Sequence, residues 1–126
     1  MNKEPKVRSI GMVLTAGSAN TIYTCPPNYI AKMVLLFVSN HDISGGGGGG
    51  GGSGSTKKVT VQWNDVSAGQ SYYIVGGYSL TATAFLKLDG SYLVLNPGDT
   101  LIVTPEAGSA MDTTVTVEEY FEPAMR

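Results

Sequence analysis

The sequence predicts an all-β protein: a single antiparallel β-sandwich, Ig-like or jelly-roll-like, of about eight strands. Three observations predict it. Nearly every segment either alternates apolar and polar residues with period two or forms a short β-branched run. Turn signals recur about every 8–12 residues. No segment carries a convincing helical period of apolar positions.

Taken in order, "VRSIGMVLT" (residues 7–15) opens as a strand, with Gly11 expected as a bulge. "AGSAN" turns the chain. "NTIYTC" (residues 20–25) is a short strand halted by Pro26 and Pro27, neither of which can donate to a ladder. "YIAKMVLLFVSN" (residues 29–40) is the most apolar run. A buried helix competes for it, but its β-branched and aromatic content and the prolines before it favour a central strand.

Eight consecutive glycines, 45–52, follow within a Gly/Ser stretch. As a free coil, residues 44–54 would span about 15–20 Å by the square-root rule. Ordering each glycine costs backbone entropy with no side chain to recover it. A lengthened, flexible strand-to-strand loop over residues 44–55 is therefore expected, and the strands flanking it are expected at sheet edges.

"TKKVTVQWND" (residues 56–65) alternates cleanly, with Val59, Val61 and Trp63 on one face and Lys58, Thr60 and Gln62 on the other. "VSAGQ" is a turn, "SYYIVG" a strand, and Gly76–Gly77 is expected as a tight hairpin bend. "YSLTATAFLKL" (residues 78–88) reads as one strand, "DGS" as a turn and "YLVL" as a short strand. "NPGD" is a turn with Pro in its favoured second place. "TLIVTP", the loop "EAGSAMD" and "TTVTVEEYF" (residues 113–121) complete the fold.

Size and charge narrow the function. The 126 residues suit one domain, 1–126, that buries roughly two-thirds of its unfolded surface. Charged residues make up 14%, against about a quarter in an ordinary domain, so the surface is easily desolvated by a protein partner. Net charge is −2, and the eight Lys and Arg are scattered, which leaves no electrostatic footprint for nucleic acid. Cys25 is the single cysteine. It excludes an internal disulfide and reads as a small buried hydrophobe. The opening "MNKEPKVRSI" has no apolar signal core and no window approaches 18 apolar residues, so neither a secretory leader nor a membrane span is expected.

The segments "TIYTCPPNYIAKMVLLFVSN", "VTVQW" and "FLKLDGSYLVLNPGDTLIVTPEAGSAMDTTVTVEEY" together resemble a group of small virion proteins of tailed bacteriophages. Residues 23–26, 59–63, 88–90, 93–95, 97–99 and 113–117 carry the match, which spans most of residues 20–120. The resemblance implies a non-enzymatic β-sandwich subunit of a virion assembled in the host cytoplasm, on the capsid as a decoration or cement protein, or at the neck or tail. It implies the major capsid protein or other virion proteins as partners, and a homo-oligomer with a trimer favoured. The glycine tract departs from the short polar loop usual at that point.

Residue chemistry supports no catalytic reading, and neither a cofactor nor a metal is expected. A P-loop needs G-x-x-x-x-G-K-[ST] opening a helix, whereas Lys57 and Lys58 here lead into a strand. His41 and Asp42 are adjacent on a strand end, point apart, and lack a nucleophile and oxyanion hole. Asp89, Asp99, Glu106 and Asp112 lie in turns without calcium-loop spacing and read as backbone-bonding turn formers. Trp63 is expected in the core.

Aromatic faces also stack on sugars, so carbohydrate or receptor binding is the alternative function, with a glycan as ligand. Tyr72 and Tyr73 are adjacent and must face opposite ways, leaving one exposed. Tyr72, Tyr73 and Tyr78, with Tyr120 and Phe121 near the C-terminal end, are the candidate interface residues.

Overall fold

The computed structural model describes residues 4–41 and 56–123. These form nine strands: β1 (Lys6–Val13), β2 (Asn20–Thr24), β3 (Tyr29–Asn40), β4 (Lys57–Asp65), β5 (Gln70–Leu80), β6 (Phe85–Leu88), β7 (Leu93–Leu95), β8 (Thr100–Pro105) and β9 (Met111–Phe121). No helix occurs among the described residues. Every strand pair is antiparallel.

One sheet runs β1-β9-β3, with β6 and β7 placed end to end along the outer side of β3; the other runs β2-β8-β4-β5. Thus β1 lies beside β9, β2 beside β8, β3 beside β6–β7, and β4 beside β5. That nesting is a long hairpin, doubled back at β4–β5 and rolled into two sheets, which is a jelly roll. An immunoglobulin sandwich pairs its first strand with its second instead, so the Ig-like alternative falls. The count exceeds eight because one edge is broken into β6 and β7 by the "DGS" turn.

The inward-facing positions build one core. Ala31, Met33, Leu36 and Val38 of β3 meet Val115 and Val117 of β9, and across the gap Val59 and Val61 of β4 meet Leu101 and Val103 of β8. All are buried; the period of two holds along β4, β8 and β9, while on β3 a register shift between Met33 and Leu35 moves the inward set by one residue. At one end Asp99, fully buried, organises the chain. Its carboxylate accepts from Trp63 Nε1 (3.2 Å), Val66 N (3.1 Å) and Asn96 N (3.0 Å). Between Asn96 and Asp99 the "NPGD" turn closes with Asp99 N donating to Asn96 O at 2.9 Å, and Gly98 takes φ +89°, as the third place of a type II turn demands.

Several expectations are corrected. Gly11 forms no bulge: β1 pairs with β9 over eight residues in unbroken register. Gly76–Gly77 is not a hairpin bend but lies inside β5, where the register against β4 shifts twice, between Val59 and Val61 and between Val61 and Gln62. Gly77, at φ +68°, fits the first of these bulges, and its N–H donates to Thr60 Oγ1 at 3.1 Å.

Residues 78–88 are not one strand. The chain leaves one sheet at Leu80, turns through Thr83 (φ +67°) and enters the other at Phe85, tied by Thr83 N to Asn40 O and Asn40 N to Ala84 O. Nor do the neighbours of the glycine tract form edges. Strands β3 and β4 each have partners on both sides, because in this winding they are the inner turns of the roll. The tract itself, residues 44–55, lies outside the described residues, as does Asp42.

Candidate interaction surface

The sandwich has two sides where its sheets end, one where β1 and β2 run and one where β5 and β6–β7 run. Of the candidate aromatic residues, Tyr72, Tyr73 and Tyr78 belong to the second, on its edge strand β5. Tyr72 shares the inner face of its sheet with Trp63, and their rings meet at 5.3 Å. Tyr73, opposite Gln62, faces away and is 71% exposed, so the adjacent pair does split between faces. Tyr78 lies opposite Val59 and is half exposed.

Tyr120 and Phe121 stand at the far end of β9, in the other sheet. The Tyr120 hydroxyl donates to Glu118 Oε1 (2.9 Å), and Phe121 packs on Tyr29 at 5.3 Å. The structure therefore does not gather the five predicted residues into one cluster.

What links them is Tyr92, which the sequence reading did not single out. Lys32 Nζ sits 4.6 Å from the Tyr92 ring centre and 5.5 Å from that of Tyr120, bridging the two by cation–π contacts. Tyr92 also lines an open cleft of about 170 Å³ between the sheets, with Met33, Ile74, Asp89, Ser91 and Leu93. Ile74 comes from β5, so the cleft brings Tyr92 to the edge strand that also carries Tyr73, whose own ring faces the other way. A large aromatic directly after a turn, in "DGSY", was the available signal.

Beside these residues the outer face of β3 is unusually apolar. On β9 the outward positions are Asp112, Thr114, Thr116 and Glu118, polar as expected for a sheet facing water. On β3 they include Leu35 and Phe37, and Phe37 packs at 5.6 Å against Phe85, itself largely exposed.

The β1–β2 side is polar and closed. Glu119, almost fully buried, takes two hydrogen bonds from Arg8, from Nε (3.3 Å) and Nη2 (3.0 Å), and one from the Tyr23 hydroxyl. Burial pushes the Glu119 carboxyl up. The Arg8 and Tyr23 hydrogen bonds and the Arg8 charge outweigh it and hold the group below the ordinary carboxylate range. Burial, and then Glu119, raise the Tyr23 phenol. Cys25 is buried as expected, and burial pushes its thiol up to about 11, too high for a nucleophile.

The acidic residues expected in turns remain apart, and Asp112 lies not in a turn but within β9, which starts two residues earlier than the sequence indicates. Asp99 bonds the backbone and Trp63, Asp89 pairs with Lys87 (3.5 Å), and Glu106 accepts from Lys58 N (2.9 Å). Asp112 Oδ1 lies 3.3 Å from His41 Nε2, and both side chains are about half exposed. Among the described residues no group of three or more His, Cys, Asp or Glu is placed to hold a metal ion, and no helix is long and apolar enough to cross a membrane.

No protein-family model and no curated protein sequence matches the chain. Solved structures do. A chain in the acidic stable capsid structure of Helicobacter pylori bacteriophage KHP30 is similar at 11% identity and TM-score 0.50, over 98% of this chain and 92% of that one. A chain of the Bacillus endospore appendages, a family of disulfide-linked pili, aligns at 15% identity and TM-score 0.48, over 97% and 92%. A chain of the VLP of extra small virus of the giant freshwater prawn Macrobrachium rosenbergii aligns at 14% identity and TM-score 0.46, over 95% and 80%. At these identities the likeness is one of fold.

Proposed function

We propose that the protein is a non-enzymatic structural component of a tailed-phage virion, a decoration or cement protein that binds the assembled shell through the aromatic side of its jelly roll. The observation that carries this reading is the run from Tyr120 through Lys32 and Tyr92 to the cleft that Ile74 of the β5 edge helps to line. Aromatic residues set in a surface of low charge are what a protein interface concentrates. The fold it shares with the phage capsid chain supports a virion role by analogy. Weak single contacts suffice on a lattice, because many copies acting together multiply modest affinities.

The test is cryo-electron microscopy of the parent particle. Density for this chain repeated between capsomers, with the β5 and β7 side turned to the shell, is the expected result. Density confined to the tail, neck or fibres, or a shell contact made by the β1–β2 side, overturns it.

A second reading has one observation behind it. The cleft sets Tyr92 beside Asp89 and Ser91 over an apolar floor, an arrangement that suits a sugar ring stacked on the aromatic and bonded at its hydroxyls. Glycan binding by the isolated domain, lost on Tyr92→Ala while shell binding persists, would establish it.

A further inference from the structure

Among the described residues there are four sheet edges, and three are blunted. Strand β2 is five residues long and shifts register at Ile22, β5 carries two bulges, and the β6–β7 edge is cut into pieces of four and three residues. These are the usual devices against edge-to-edge pairing. Strand β1 has none of them: its eight residues run regularly along β9. A charged side chain turned inward would also guard an edge, but Arg8, the inward charge at its middle, is already neutralised by Glu119.

The outward face of β1 carries two unsupported apolar groups, Val7 (60% exposed) and Val13 (77% exposed). Between them lies Gly11, where the backbone is ordinary for a strand and an added Cβ would meet nothing closer than 3.9 Å. The chain's own packing does not demand a glycine there. Its effect is a shallow hollow of about 260 Å³, walled by Val13, Asp112 and Thr114.

We infer that β1 is a pairing edge for a second copy of this chain, the two β1 strands running antiparallel about a two-fold axis at Ile10 and joining two sheets into one. The sequence of β1 selects both the partner and the register. A two-fold perpendicular to the sheet pairs only residues on the same face. Centred on Ile10, it sets Val7 against the other copy's Val13, Arg8 against Met12, and Ser9 against Gly11. No like charges meet, β1 contains no acidic residue, and both exposed valines are covered. Moving the axis to Ser9 sets Val7 against Gly11 and leaves Val13 without a counterpart. The predicted assembly is therefore a two-fold pair, not the trimer expected from the resemblance, and it uses the side opposite β5 and β7. It stands apart from the virion reading, since shell binding can fail while the pair holds, and the reverse.

The test is sedimentation velocity of the full chain across a wide concentration range. The wild type is expected to show a monomer–dimer equilibrium. The double variant V7K/V13K places lysine against lysine twice across the two-fold, and should weaken the dimer by about tenfold or more. The variant V7E/V13K places opposite charges at the same two contacts, and should restore association. Within one copy these positions are too far apart to interact, and both are solvent-exposed, so circular dichroism should show each variant folded. A wild type that stays monomeric throughout overturns the inference. So does association that ignores V7K/V13K, or that V7E/V13K fails to restore.

Discussion

On the side where β1 and β2 run, Glu119 holds Arg8 and Tyr23 and so ties one sheet to the other through a buried, fully bonded carboxylate. On the side where β5 and β7 run, the sheets meet across an open cleft lined by Ile74, Leu93 and Met33, with Tyr73 and Tyr92 standing in solvent. Both sides are places where a two-layer fold runs out of core. One is closed from within by satisfied polar groups, and the other is left with exposed aromatic surface. Removing a group from the first should damage folding. Removing a group from the second should cost little stability and, on the proposed function, damage association most.

The largest effect is expected from Glu119→Ala. It strands the Tyr23 hydroxyl in a buried site and removes the counter-charge of Arg8, which is half in solvent, so the loss should be about 2–4 kcal/mol in a urea titration. The same carboxylate sets an acid limb. Its folded pKa is depressed, so its contribution is fully present above the ordinary carboxylate range and is lost as pH falls through the folded value. Glu119→Gln should flatten that limb. A variant as stable as the wild type at neutral pH, with the limb unchanged, removes the distinction between the two sides.

Little of this polar closure is legible in the sequence, and the reason is physical. Period-two alternation places Val115 and Val117 in the core and carries Glu119 to the same inward face. Alternation cannot say that Arg8 and Tyr23, 111 and 96 residues away, arrive to satisfy it. Strand β3 was legible in full, from Tyr29 to Asn40, because β-branched and aromatic residues fill both its faces. The "NPGD" turn was legible as a turn, while the hold of Asp99 on Trp63 and Val66 is tertiary and left no local mark. Gly76–Gly77 misled because two glycines serve a hairpin and a bulge equally well. Only the partner strand decides between them, and here β4 continues past the shift. Tyr72 and Tyr73 were legible as a split pair, and Tyr92 was missed because its neighbours Lys32 and Tyr120 belong to other strands.

An intermediate effect should come from the bulge that blunts the β5 edge. Gly77 occupies the left-handed region at φ +68°, so Gly77→Ala should cost about 1 kcal/mol although its Cβ would find room. Gly76→Ala is the matched control. Gly76 is not in the left-handed region and the nearest atom to an added Cβ, Tyr73 Cδ1, is at 3.9 Å, so stability should stay within about 0.5 kcal/mol. Equal losses at both positions would mean that the edge is shaped by side-chain crowding and not by a backbone bulge.

The smallest expected change in stability, and the most informative, belongs to the aromatic side. Tyr73 makes little contact within its own chain, so Tyr73→Ala should alter stability by no more than about 0.5 kcal/mol. Tyr92→Ala gives up its contact with Lys32, about 0.5–1 kcal/mol at a partly exposed site. Binding to shells stripped of this protein should fall far more than either figure suggests, because an aromatic at the centre of an interface carries more energy there than in the free subunit. Pull-down of each variant by such shells, set beside its urea midpoint, separates the two quantities. If both substitutions lower stability as much as Glu119→Ala and leave shell binding unchanged, the open side is a poorly covered piece of core and not a docking surface.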